Sequence, residues 1–284
     1  MKRVFDFIRR LRFTHSIFSE LIYILSFKRA RIPVPFMVLI TGQKCTLRCR
    51  DCGNFTPFLP QTFYDFETLC SDIDKLFRVV KIGTLQLQGG EALVYPDLVG
   101  LLKCLKGRGV TNLVIATNGT RLLTADQIEA MIEAKVSVRI SDYGIIQQRV
   151  AELTEQCMKH GISSKLYSFI AADGSWLNLG GRKMTPSGGD VTLSTYESCL
   201  FNGCLTLEDG LLARCSRGTV SHFVQGFSPD VYDLLDFRGG DSGQIKSLFE
   251  QYIRKRRPMK ACSYCYGTEG GLIKPAIQLG ISDV

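Results

Sequence analysis

The chain has 284 residues, of which 45% are hydrophobic and 22% charged; this is enough for one large α/β domain, or one domain with a small appendage, and excludes a disordered chain. Its eleven cysteines argue against a secreted disulfide scaffold, because such scaffolds are short and an odd count strands one thiol. The net charge of +8 is uneven, with +6 of it in residues 1–31, so the basic pI describes an N-terminal arm and excludes a chain-wide nucleic-acid surface.

That arm, residues 1–35, opens with MKRVFDFIRRLRF. It has no apolar core or small-residue cleavage site of a signal peptide, so a reducing cytoplasm is expected, where clustered cysteines mean metal. Val4, Phe5, Ile8, Leu11, Ile17, Phe18, Leu21, Ile22 and Leu25 recur at helical intervals. A basic amphipathic helix of this kind either packs across the following domain or makes peripheral contact with a membrane or an acidic partner. Residues 17–27 are too short, and too interrupted by Ser19 and Glu20, to span a bilayer.

RIPVP then reads as an extended connector, and FMVLIT (36–41) as a buried strand. A helix near 66–80, a strand at 84–88, a helix near 97–107 and a strand at 112–117 follow. Thr124, with Gln127 three places on, forms a capping box for the next helix. VSVRIS (136–141) is a fourth strand, and residues 145–160 a helix that Gly161 ends. Strand and helix alternate, which predicts parallel strands joined by right-handed crossovers. From about residue 171 the sequence turns glycine-rich and irregular, with one further helix at 244–256. A boundary near 185 divides a core (36–185) from a C-terminal unit (186–284) in which cysteines return.

KCTLRCRDC places Cys45, Cys49 and Cys52 directly after the first strand, at the end where parallel α/β folds bind ligands. Zinc sites use paired cysteines with a second pair elsewhere. Three thiolates on one short loop instead suit the corner of an iron–sulfur cubane, leaving one iron open for a substrate or cofactor.

A CxxxCxxC loop after the first strand of a βα array resembles the motif of the radical S-adenosylmethionine (SAM) superfamily. The resemblance implies a partial (β/α)6 barrel, a [4Fe–4S] cluster on Cys45, Cys49 and Cys52, and SAM on the open iron. Reductive cleavage of SAM would give a 5′-deoxyadenosyl radical that abstracts hydrogen from carbon. An electron donor such as flavodoxin or ferredoxin is implied as partner. The residue before the third cysteine, commonly aromatic in that superfamily, is Asp51, with Asn54 and Phe55 as substitutes against the adenine. QGGE resembles the superfamily's GGE turn, so Gly89, Gly90 and Glu91 are expected to receive the SAM ammonium group. Asn118, in TNG after the third strand, and Ser141, at the end of the fourth, are expected to contact SAM.

Cys199, ten residues, Gly210, four residues, Cys215 and a later CSYC (Cys262, Cys265) resemble a twitch domain, the shortened SPASM module that holds one auxiliary [4Fe–4S] cluster. The spacing is similar to that of the radical SAM 2-deoxy-scyllo-inosamine dehydrogenases. Four cysteines also permit a structural zinc site, and Cys204 is an alternative ligand to Cys199. Cys70, Cys104 and Cys157 fall in predicted helices as buried free thiols.

Two clusters imply that an electron left after hydrogen abstraction passes to the auxiliary site, as oxidation of an alcohol in a sugar, aminocyclitol or nucleotide-linked small molecule requires. Tyr143, Arg182 and Cys204 are the candidate catalytic residues for base or hydrogen-donor work, with Trp176 and Tyr196 within reach. The alternatives are a ribosomal-peptide maturase, a glycyl-radical-enzyme activase, and a zinc protein that binds nucleic acid or anionic lipid through its arm.

Overall fold

The computed structural model describes residues 31–170, 174–254 and 257–280. Residues 1–30 of the basic arm therefore lie outside the described residues. The connector expected at RIPVP is instead the start of a strand, β1 (Ile32–Ile40). Over its first half β1 has, among the described residues, a neighbour on one side only, and Pro33 and Pro35 are tolerated where a strand has a free edge.

Four more parallel strands follow: β2 (Val80–Gln88), β3 (Asn112–Thr117), β4 (Val136–Asp142) and β5 (Ser164–Ser168). The crossover helices are α1 (Phe66–Val79), α2 (Leu98–Leu105), α3 (Ala125–Glu133) and α4 (Val150–Lys159). Each helix turns leucine, isoleucine or methionine onto the sheet: α1 buries Leu69, Ile73 and Leu76, and α3 buries Met131. The capping box at Thr124 and Gln127 is present. Helix α4 starts five residues later than expected, because Ile145–Arg149 forms a turn. In it Gln148 Nε2 donates to the carbonyls of Asn118 and Ser141, both at 2.6 Å, and so ties the ends of β3 and β4 together.

The sheet does not end with β1. A hairpin of β7 (Leu205–Glu208) and β8 (Leu211–Ala213), then β9 (Leu235–Asp236), extend it in the order β5-β4-β3-β2-β1-β7-β8-β9. Strand β7 runs parallel to β1, with Ile40 opposite Glu208. The hairpin turns on Asp209 and Gly210, both at positive φ, which is the two-residue turn whose twist fits a hairpin. The remaining strands, β6 (Trp176–Leu177) and β10 (Leu272–Ile273), form a small separate sheet. Helices α5 (Gly189–Ser198), α6 (Ser216–Gln225) and α7 (Ser242–Arg254) complete the C-terminal part. Among the described residues no helix is long and apolar enough to cross a membrane.

Candidate functional site

The cysteine loop leaves β1 at Ile40 and is pinned from four directions. From below, the turn after β2 sits against it: Gly90 N donates to Gly42 O, and Glu91 N to Lys44 O, each at 2.9 Å. This approach is why both residues are glycine. A Cβ on Gly89 would lie 2.6 Å from Gly42 O, and one on Gly90 2.2 Å from Lys44 O.

From the third strand end, Asn118 Nδ2 donates to Thr46 Oγ1 at 3.0 Å and reaches Cys45 Sγ at 3.6 Å. Glu91 is buried, and its two carboxylate oxygens accept the backbone N–H groups of Leu93 (3.0 Å) and Asn118 (2.8 Å). The carboxylate expected to receive an ammonium group also joins the ends of β2 and β3. Burial raises its pKa, against the lowering effect of those two hydrogen bonds.

From the fourth strand, Tyr143 packs in one apolar cluster with Cys45, Cys49, Cys52, Trp176 and Ala276. Its ring meets that of Trp176 edge-on at 5.1 Å. The Ser141 side chain is in hydrogen-bonding range of the Tyr143 hydroxyl, whose pKa burial raises.

The fourth restraint is the C-terminal tail, which sequence reasoning missed. Cys49 and Gln278 form an antiparallel bridge. Arg50 N donates to Ile277 O and Leu279 N to Arg48 O, both at 2.8 Å. Gln278 Nε2 reaches Cys49 Sγ at 3.4 Å.

The second cysteine group gathers around one cavity. Cys199, at the C-terminal end of α5, Cys215, at the N-cap of α6, and Cys262 and Cys265 all line about 420 Å³ of atom-free space that is partly open to solvent. Cys204 is not among the lining residues. Gly218 lets α6 close on this site, since a Cβ there would lie 2.7 Å from the Met259 methyl group. Among the described residues no three cysteine, histidine or carboxylate side chains are placed to hold a single metal ion.

Desolvation pushes the thiols of Cys45, Cys49 and Cys262 up to about 12 and raises that of Cys215 as well. Thiols so placed ionise only when a cation compensates them, and binding to a metal does this outright. All eleven cysteines are free of disulfides. The donor set fits iron–sulfur ligation: soft sulfur atoms gathered in two groups, one packed in a single apolar cluster and the other around a common cavity.

The other candidates fall elsewhere. Arg182 is exposed and stacks 4.2 Å over the Phe58 ring. Asn54 and Phe55 contact the start of α6: Ser216 Oγ donates to Asn54 Oδ1 at 2.8 Å, and Arg217 lies 3.9 Å over the Phe55 ring. Tyr196 is buried in the wall of the second cavity. Cys157 is buried as expected. Cys70 and Cys104, by contrast, are only half-buried and touch each other between α1 and α2.

Two buried residues that carried no motif join the halves of the molecule. Glu208, at the end of β7, accepts from Gln43 Nε2 at 2.5 Å, from the Tyr64 hydroxyl at 2.7 Å and from Thr219 Oγ1. Arg217 donates to Gly53 O at 3.2 Å and Gly180 O at 2.8 Å. Neither could be found by spacing, because their partners lie far along the chain.

Comparison with known proteins agrees with the first group. Residues 39–141 match the family model of the radical SAM superfamily. GTP 3′,8-cyclase 1 of Mycobacterium tuberculosis is 29% identical over 96 residues, which are 31% of this chain and 26% of that protein. The chain thus spans about a quarter of the curated relatives it matches. Among solved structures, BtrN in complex with AdoMet and 2-DOIA aligns over 84% of this chain and 98% of its own, with 12% identity and a TM-score of 0.50. Native anSMEcpe with bound AdoMet and Kp18Cys peptide aligns over 86% and 93%, with 14% identity and a TM-score of 0.47. The radical SAM family uses a [4Fe–4S] cluster and SAM, and residues 39–141 of this chain are a radical SAM domain.

Proposed function

We propose that the chain is a radical SAM oxidoreductase with two [4Fe–4S] clusters, which dehydrogenates a sugar, aminocyclitol or nucleotide-linked small molecule. In this reading Cys45, Cys49 and Cys52 hold the cluster that binds SAM, and Cys199, Cys215, Cys262 and Cys265 hold the auxiliary one. When bound, these groups supply a 5′-deoxyadenosyl radical for hydrogen abstraction and an acceptor for the electron left on the substrate.

The observation that carries the reading is the common cavity of the four later cysteines, joined through Arg217 to the loop that follows Cys52. A site with four sulfur ligands leaves no iron open, so it suits electron transfer and not substrate binding. The fold is also that of BtrN, whose structure carries AdoMet and 2-DOIA.

The chain's own residues would act by position. Gly89 and Gly90 bring the second strand end against the cysteine loop, and Asn118 and Ser141 offer polar groups at the third and fourth ends. Tyr143 and Trp176 form an apolar wall that excludes water. The electron for SAM cleavage would come from a donor such as flavodoxin or ferredoxin.

The test is anaerobic incubation with dithionite, SAM and a panel of sugars, aminocyclitols and nucleotide sugars. The reading expects one substrate to yield 5′-deoxyadenosine with a matching amount of ketone product. Matched turnover with a peptide, and with none of the panel, would overturn the substrate class.

A further inference from the structure

Arg217 occupies an unusual electrostatic position. It is 5% exposed, and a guanidinium does not lose its proton in a protein, so a fixed positive charge is held out of water. A buried cation normally has an anionic partner. Among the described residues no carboxylate pairs with Arg217, and the partner of its Nη1 is the carbonyl of Gly53, the residue after Cys52. Its Nη1 and Nη2 donate to the carbonyls of Gly53 and Gly180, its plane lies on Phe55, and among the described residues its Nε has no hydrogen-bond partner. It also lines the cavity of the four later cysteines.

Position in the chain sharpens the point. Gly53 directly follows Cys52, and Arg217 stands two residues after Cys215. The contact is reinforced by Ser216 Oγ, which donates to Asn54 Oδ1. Two hydrogen bonds therefore join the segment leaving the first cysteine group to the helix starting at the second.

We infer that Arg217 is a positioning residue that locks the two cysteine sites together and, through its buried charge, raises the reduction potential of the cluster held by Cys199, Cys215, Cys262 and Cys265. This rests on the reading of those four cysteines as a [4Fe–4S] site. A cubane with four thiolates is an anion that becomes more negative on reduction, so a nearby fixed cation stabilises the reduced form more than the oxidised form. Arg217 itself is buried, so its interaction with the cluster is less screened by salt than one between exposed charges. The potential so raised makes the site a better acceptor for an electron from substrate.

The test uses anaerobically reconstituted full-length protein, as wild type, Arg217→Met, Arg217→Gln and Arg217→Lys. Iron is counted per chain, and each cluster is followed by electron paramagnetic resonance during a redox titration. The inference expects about eight irons per chain in wild type. The second cluster's midpoint should move to more negative potential in the Met and Gln variants and stay nearer wild type in the Lys variant, which keeps the charge but not the planar fork. The first cluster should move less. A midpoint unmoved or more positive in a neutral variant with full iron content would overturn the inference, as would a Lys variant displaced as far as Met. A merely structural role would let water in and move the neutral and lysine variants alike. Should wild type itself hold about four irons and show one cluster signal, the auxiliary-cluster reading fails first, and that failure is visible before any variant is compared.

Discussion

Gln278 donates its side-chain amide to the sulfur of Cys49 at 3.4 Å, from a residue 229 positions further along the chain. The same residue accepts Arg48 N at 2.8 Å, so the tail both pairs with the cysteine loop and caps one of its thiols. Removal of a hydrogen bond to a metal ligand typically costs about tenfold or more in metal affinity. Gln278→Ala should therefore lose its first cluster about tenfold faster to a chelator, with the far-ultraviolet circular dichroism unchanged. Equal rates of bleaching in the two proteins would show that the tail is a passive cover.

The glycines after β2 make a steric prediction. A methyl group on Gly90 would have to occupy space 2.2 Å from Lys44 O, and one on Gly89 space 2.6 Å from Gly42 O. Both neighbours are backbone atoms that cannot rotate away. Gly90→Ala should destabilise the protein by about 1–3 kcal/mol and reduce the iron retained on the first cysteine group. Thermal unfolding and iron analysis check this, and a variant with wild-type values in both would refute the packing argument.

The choice between Cys199 and Cys204 is settled by iron counting. Cys199 lines the cavity with Cys215, Cys262 and Cys265, and Cys204 does not. Cys199→Ala should fall from about eight irons to about four while still cleaving SAM, whereas Cys204→Ala should keep both clusters. The reverse pattern would reassign the ligand.

Arg238 links the C-terminal part to the core through a carboxylate on α1. Its Nε and Nη2 grip Asp72, at 3.0 and 2.7 Å, and Nη2 also reaches Asp209 at 2.7 Å. Asp72 is 2% exposed, so Arg238→Ala would strand a buried anion, at a cost of about 3 kcal/mol. Gly210 lies under the same side chain, where a Cβ would sit 2.1 Å from Arg238 Nε. Gly210→Ala should reproduce much of the loss, because it adds strain at positive φ and displaces the arginine. Urea midpoints of the two variants within error of wild type would contradict this account of the joint.

The parallel half of the fold was legible because its hydrophobic runs are bounded by clear helix signals. FMVLIT, NLVIAT and the Thr124 capping box all lie where the structure has the matching element. Strand β5 was not, since Ser164–Ser168 is a mostly exposed edge without apolar alternation. The hairpin of β7 and β8 was legible only through the twitch resemblance, which implies a hairpin plus helix, because its four- and three-residue strands are too short to show a period. At the site, cysteine spacing pointed to two groups, and folding brings each into one neighbourhood. What spacing could not show is how they are joined. Gln278, Glu208 and Arg217 act through partners that are remote in sequence, so only the folded chain sets them beside the loop.

The central claim is that Cys45, Cys49 and Cys52 hold a cluster with one iron left for SAM. It is tested most directly by incubating anaerobically reconstituted protein with dithionite and SAM and measuring 5′-deoxyadenosine by liquid chromatography, beside the triple variant in which the three cysteines are alanine. The account predicts steady 5′-deoxyadenosine formation by the wild type and none above the protein-free blank by the variant. No cleavage by iron-replete wild type, or equal cleavage by both, would contradict it.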